Sequence, residues 1–484
     1  MTLDERLAKI IPDKRQAEFQ KLEFYSFVHF TVNTFTDREW GDGTEDPSIF
    51  DPQRLDAEQW VKAVRSAGMK GMILTCKHHD GFCLWPSRYT RHSVASSPYK
   101  NGKGDIVKEV SNACRKYGIK FGVYLSPWDR NCPLYGQGKA YDDFFIGQLT
   151  ELLTGYGEVF CVWFDGACGE GPDGKKQFYD WERYYAKIRE LQPEACINVC
   201  GPDIRWCGNE AGHTRASEWS VVPERTKDTE KIASQSQQSD SEEFRQRKIN
   251  AQDEDLGSRD ILRNEDRLVW YPAEVNTSIR PGWFWHESEN DKIRSLDELI
   301  NIYNNSVGGN ATLLLNIPPS SEGLFHENDV KRLEELGQYI RTAFGKDLLD
   351  TAELTSDTHL SGHDISAVRT DDYNEYYIPE KGKNTAEITV RWDKTVIIGN
   401  IVIKENILCS QRVESFAVDV LSGGSFKEIY RGTVIGYKRI IPLRNIKTDC
   451  IRIRITDSRT EPTLAFIGIY EYFKSPDHTE NSDI

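Results

Sequence analysis

An alternation limits what this chain can fold into more than any other feature. Between residues 24 and 317, short apolar runs rich in β-branched and aromatic residues take turns with amphipathic segments of helical period. The runs cover residues 25–32, 70–75, 119–126, 159–164, 195–200, 216–220, 268–275 and 311–317. Helices are predicted over 56–67, 106–117, 141–156, 178–191, 296–306 and 327–344. In the first of these, Trp60, Val61, Val64 and Ala67 share one face and Gly68 ends it. The helix over 178–191 stops before Pro193, because the residue preceding a proline is pushed out of the helical region. A run that is apolar throughout, such as Val159-Phe160-Cys161-Val162-Trp163-Phe164, reads as a strand of a parallel sheet covered on both faces. About eight strand–helix units in about 300 residues predict an α/β fold, a (β/α)8 barrel of somewhat irregular form. An open doubly wound sheet is the alternative, weakened because no GxGxxG follows the first strand.

Two regions depart from the alternation. Residues 224–267 are polar and heavily charged, including Ser234-Gln235-Ser236-Gln237-Gln238-Ser239, and read as a solvated helix or an excursion over the barrel face. Beyond Phe344-Gly345, segments 387–392, 396–403, 415–421, 427–430, 440–442 and 450–455 read as short strands with turns such as Ser422-Gly423-Gly424. That pattern predicts a β-sandwich of roughly 130 residues. The chain is thus divided into a barrel over 1–345, a sandwich over 346–475 and a disordered acidic tail over 476–484.

Composition narrows the function. With 61 Lys and Arg against 76 Asp and Glu, the net charge of −15 argues against nucleic acid or an anionic membrane surface as a partner. The N-terminal residues 1–20 are charged and periodic and lack the apolar core of a secretory signal. The expected compartment is the cytoplasm, or the periplasm or exterior if a leader was removed. Eleven Cys without CxxC spacing show neither a disulfide framework nor a metal site. Twelve Trp and 21 Tyr supply flat apolar faces that suit sugars as well as large cores.

Polar groups gather where the strand-like runs end. The run 159–164 leads straight into Asp165, and Gly166 turns the chain. An ionised carboxylate at the exit of a buried strand must be paired or in use, and strand C-termini carry the chemistry of such barrels. His29 lies in the first run, and the second ends in Lys77-His78-His79-Asp80-Gly81-Phe82. Adjacent strand residues point to opposite faces, so both His78 and His79 reach the barrel mouth only from a loop. The His pair with Asp80 is an incomplete metal-ligand set, and no metal is assigned.

The block Lys77-His78-His79-Asp80-Gly81-Phe82-Cys83-Leu84-Trp85, with Glu39-Trp40 before it and Trp163-Phe164-Asp165 after it, resembles the α-L-fucosidases of glycoside hydrolase family 29. The resemblance spans nearly all of residues 20–345, and extends to Ser278-Ile279-Arg280-Pro281-Gly282-Trp283-Phe284-Trp285-His286 and to the segment from Ser306 to Asn316. It implies a retaining exo-α-L-fucosidase that needs no cofactor and works by double displacement on a fucosylated oligosaccharide or glycoconjugate. Asp165 is then the nucleophile, while His29, Glu39, Trp40, His78, His79, Tyr124 and Trp163 match positions that line the fucose pocket.

A second carboxyl group must serve as acid and base, and Glu210, Glu218 and Glu274 are the candidates. The segments Gly208-Asn209-Glu210 and Glu39-Trp40-Gly41-Asp42-Gly43-Thr44-Glu45 resemble the subgroup that cleaves α-1,3/1,4-branched, Lewis-type substrates, which favours Glu210. Nearby Asp165 and an apolar wall such as Trp206 would raise its pKa. The alternatives are a broad fucosidase acting on α-1,2 or aryl fucosides, and a non-catalytic binder of fucosylated glycans. The C-terminal strands resemble discoidin-like or carbohydrate-binding modules and are expected to buttress the barrel. The oligomeric state is left open.

Overall fold

Eight parallel strands make the central sheet of the computed structural model, which describes residues 1–229, 232 and 255–473. In chain order these are β1 (Phe24–Val28), β2 (Gly71–Lys77), β3 (Lys120–Leu125), β4 (Cys161–Phe164), β5 (Cys196–Val199) and β6 (Arg205–Trp206). The strands β7 (Val221–Pro223) and β8 (Leu268–Trp270) then pair antiparallel outside the barrel, and β9 (Ala273–Ser278) and β10 (Ala311–Asn316) complete it. The order is β5-β4-β3-β2-β1-β10-β9-β6. The ring closes at one parallel bridge, Asn198 to Ile204, with Val199 N donating to the Ile204 carbonyl at 3.2 Å.

The helices follow from local rules. The helix Ile106–Tyr117 starts at Asp105, whose carboxylate accepts from Lys108 N, and ends at Gly118, whose φ of 70° a side chain would strain. The helix Ala57–Ser66 turns Trp60, Val61 and Val64, all fully buried, onto the barrel. Burying each such side chain contributes about 1.5–3 kcal/mol. The helix expected to begin at 178 begins instead at Trp181, because Asp180 caps it by accepting from Arg183 N.

Even in the all-apolar strands the two faces differ. Tyr25, Phe27, Ile73, Tyr124, Cys161, Trp163 and Leu314 fill the barrel interior, whereas Val28, Met72, Leu74, Val123 and Val162 pack against the helices.

Two strand expectations are corrected. Residues 216–220 form no strand; β6 takes the sixth place, too short and polar to register as an apolar run. Residues 268–275 split at Pro272 into β8 and β9, since proline cannot donate to a ladder. β9 itself is polar yet buried at every position. Most of the polar stretch 224–267 lies outside the described residues, as do the tail residues beyond 473.

The C-terminal strands are β11 (Glu353–Ser356), β12 (Ala386–Glu405), β13 (Val413–Ser422), β14 (Ser425–Gly432), β15 (Arg439–Ser458) and β16 (Leu464–Glu471). The segments 387–392 and 396–403 are two halves of β12, and 440–442 and 450–455 belong to β15. Both strands are 20 residues long and shift register midway. One half of β12 pairs with β11 and the other with β16, so the long strands run through both layers of a sandwich. Ile388, Val390, Ile398, Ile401, Ile453 and Ile467 are among its core.

Val402 and Ile440 join the barrel's outer core. Lys438 binds Glu23 at 2.9 Å beside the start of β1. Burial would raise the Glu23 carboxyl, but Lys438, Lys404 and Lys70 hold it well below the usual carboxylate range. Among the described residues, no helix is long and apolar enough to cross a membrane.

Candidate active site

The C-terminal ends of the barrel strands surround a cavity of about 740 Å³, counted to its opening into solvent. Asp165 follows β4 directly, and both its oxygens are held. Tyr124 OH, from β3, donates to Oδ2 at 2.9 Å, and Ala167 N donates to Oδ1 at 2.8 Å across the Gly166 turn. His79 Nε2 stands 3.7 Å from Oδ2. The Asp165 side chain keeps 22 % exposure, so the anchored carboxylate still faces the cavity. Trp163 stacks on Tyr124 with ring centres 5.4 Å apart.

His78 and His79 both line the cavity, because β2 ends one residue earlier at Lys77. Lys77 turns away and donates to Asp129 Oδ2 at 2.8 Å in a buried ion pair. Asp80 stays out of the cavity, fully buried, accepting from Thr31 Oγ1 and Phe82 N. Burial pushes its carboxyl up to about 7.

Hydrogen bonds set the imidazole tautomers. Asn316 Nδ2 donates to Ser278 Oγ and the Trp283 carbonyl, which leaves its Oδ1 to accept from His29 Nδ1 at 2.8 Å. Ser126 Oγ donates to the Trp128 carbonyl at 2.7 Å and so accepts from His79 Nδ1, also at 2.7 Å. In each ring Nε2 is therefore a hydrogen-bond acceptor. Burial lowers His29 and His79 to about 4 and His78 well below its ordinary value. All three are neutral at pH 7.

Glu39 and Trp40 close another side. Glu39 accepts from Trp283 N at 2.9 Å and Phe284 N at 3.2 Å. His286 bridges Glu39 at 2.7 Å and Asp37 at 2.6 Å. The hydrogen bond to Glu39 raises His286 to about 9 against the effect of burial, so it is an imidazolium at pH 7. Trp40 meets His79 edge-on with ring centres 5.6 Å apart.

The three acid/base candidates separate clearly. Glu210 lines the cavity together with Trp206, and its Oε2 accepts from Trp283 Nε1 at 3.2 Å. Thr277 Oγ1 donates to the Glu210 carbonyl at 2.7 Å, fixing that loop to β9. Glu218 is buried away from the cavity in an ion pair with Arg205. Glu274 lies beneath the site, wholly buried. It accepts from Trp163 Nε1 and Asn198 Nδ2, each at 2.7 Å, and from Tyr25 OH. Burial pushes its carboxyl up to about 7. Neither alternative presents an oxygen to the cavity.

His78, His79 and Asp165 place ligand atoms within 4.8 Å of one another, a spacing a divalent ion would accept. Asp165 already spends both oxygens on Tyr124 and Ala167. Val199, Asn276, Trp283 and Phe284 also line the cavity without having been assigned from sequence. Trp283 and Phe284 belong to the segment from Ser278 to His286, whereas Asn276 sits on the polar strand β9.

An anchored carboxylate, neutral acceptor imidazoles and an aromatic wall at a barrel mouth define a site for one small, polyhydroxylated ring. The sequence profile of the α-L-fucosidases matches residues 11–344. The chain is 39% identical over 473 residues to α-L-fucosidase 1 of Arabidopsis thaliana, covering 95% of this chain and 87% of that one. Among solved structures it is similar to a Ruminococcus gnavus fucosidase of glycoside hydrolase family 29 in complex with fucose. That match has a TM-score of 0.83 at 30% identity, over 96% of this chain and 95% of the other. It is also similar to a family 29 glycoside hydrolase from a rumen bacterium, with a TM-score of 0.79 at 36% identity over 98% and 78% of the two chains. This chain belongs to the α-L-fucosidases, glycoside hydrolases of family 29.

Proposed function

We propose that the chain removes terminal α-L-fucose from α-1,3/1,4-branched, Lewis-type glycans by a retaining double displacement. Asp165 attacks the anomeric carbon and forms a covalent fucosyl-enzyme while Glu210 protonates the departing oxygen. Glu210 then takes a proton from the water that releases fucose. The observation that carries this reading is that Glu210, alone of the three candidate carboxyls, lines the cavity holding Asp165.

The remaining groups suit the sugar. His29 and His79 offer Nε2 acceptors to fucose hydroxyls, and the clamped Glu39 accepts another. Trp40 and Trp163 provide apolar faces for the methyl side. A sugar lacking a matching hydroxyl leaves one of these buried acceptors unpaired, which is costly and gives selectivity.

The test compares fucose release from an aryl α-L-fucoside, a 2′-linked fucosyl-lactose and a Lewis-type branched trisaccharide. Preferential cleavage of the branched glycan supports the reading. Broad cleavage led by the aryl substrate overturns the linkage assignment and restores the broad-specificity alternative.

A further inference from the structure

A second cavity of about 670 Å³, open to solvent, adjoins the first and shares Glu210 and Trp283 with it. On the mechanism proposed above, the acid must stand at the glycosidic oxygen, between fucose and its leaving group. The space on the far side of Glu210 is then where the leaving group sits.

The charges there run against the chain's overall −15. Arg280 is neutralised by Asp329 at 2.9 Å, both wholly buried. Lys292 and Arg294, which also line this cavity, make no ion pair within 4 Å among the described residues. Arg294 is held in place, its Nε donating to the Ser278 carbonyl at 2.9 Å and its Nη2 to Thr277 Oγ1 at 3.1 Å. Burial lowers its affinity for its proton, only partly countered by Glu298. Glu298 also lines the cavity, and its Oε2 accepts from Ser295 N at 2.7 Å and Ser295 Oγ at 2.8 Å. Glu210 carries no charge in the acid form that starts the reaction. The result is a half-enclosed site lined by two cations that form no ion pair among the described residues, one of them oriented, with the Ser295-bound Glu298 as the carboxylate beside them.

We propose that this second cavity binds the leaving-group glycan and selects branches bearing an anionic group, a carboxylate sugar or a sulfate ester, which Lys292 and Arg294 pair. The proposal rests on the fucosidase reading of the first cavity. Arg offers a planar fork to such oxyanions, and Lys a mobile point charge on the rim.

The test measures kcat/KM for four substrates at low and at 0.3 M salt. They are an aryl α-L-fucoside, the neutral branched trisaccharide, and its sialylated and sulfated forms. The wild-type protein and Lys292→Gln are compared, with Arg294→Lys as the variant that keeps the charge but loses the anchored fork. The expected result is an acidic-to-neutral preference above one that falls roughly five- to tenfold in Lys292→Gln and at high salt. A response confined to the sialylated or to the sulfated glycan also supports the proposal and names the source of the anion. Equal rates on acidic and neutral glycans, unchanged by salt or variant, overturn it and leave the fucosidase reading standing. Release from none of the four overturns both.

Discussion

The two arcs of the barrel differ in regularity and in what they give the site. From β1 to β4 each strand leads to a helix before the next, and the rungs run continuously. This arc supplies His29, His78, His79, Tyr124 and Asp165, all within or just after a strand. In the arc from β5 to β9, no helix separates β5 from β6, and the stretch from β6 to β9 holds the four-residue helix Arg259–Leu262. A five-residue turn joins β5 to the two-residue β6, and Val199, at φ 74°, sits in a region that β-branched residues avoid. This arc supplies Glu210 from a loop, Asn276 from a polar strand, and the cationic second cavity. A regular scaffold fixes the Asp165 carboxylate, while an irregular one brings Glu210 to the same cavity. Position along the ring, more than distance in sequence, separates the two carboxylates proposed as nucleophile and acid.

The largest effect that would sharpen this contrast comes from the regular arc. Asp165→Ala should reduce fucose release by at least about 10³-fold while the variant still binds fucose. Unchanged turnover, read by a coupled fucose assay, would remove Asp165 as nucleophile.

Next comes the irregular arc. Glu210→Ala should slow hydrolysis of branched glycans by about 10²–10⁴-fold. Aryl fucosides with good leaving groups should suffer less, and added azide should restore part of the rate. If Glu274→Ala rather than Glu210→Ala gave that azide-rescued pattern, the comparison of arcs would break.

Beneath both arcs, Glu274 should affect stability in a pH-dependent way. Its folded pKa of about 7 lies above the ordinary 4.5, so the folded state holds a proton that the unfolded chain has lost between those values. Stability contributed by the protonated carboxyl is therefore lost as pH rises from about 4.5 to 7. Glu274→Gln removes that slope, by on the order of 1–3 kcal/mol across the window. Parallel Tm-against-pH curves for variant and wild type would contradict the burial argument.

The smallest effect concerns the clamp on Glu39. The folded pKa of His286, about 9, lies above 6.5, so its contribution is complete below pH 6.5 and lost as pH rises through 9. His286→Gln should cost about 1 kcal/mol at pH 6 and nearly nothing at pH 10, with KM for fucosides rising several-fold at pH 6. A KM that does not move would show that Glu39 is positioned by the Trp283 and Phe284 amides alone.

The sequence by itself determined what depends on local pattern. Runs such as 159–164 can be satisfied only as covered parallel strands, and helix termini were written by Asp105, Gly118 and Pro193. The blocks around His78 and Asp165 announced the cavity because strand ends in such a barrel converge. Periodicity could not reveal β6 or separate β9 from β8, because buried polar residues such as Arg205, Glu274 and Asn276 break the apolar pattern. Their partners, Asn198, Trp163, Tyr25 and Trp206, come from distant parts of the chain. Nor could spacing choose among Glu210, Glu218 and Glu274, which look alike as carboxylates near the same strands. Tertiary structure separates them by giving Glu218 an arginine, Glu274 three donors in the barrel interior, and Glu210 a place in the lining of the cavity that holds Asp165. The physical reason is that a carboxyl's role depends on solvation and neighbours, and both are set only when the ring closes.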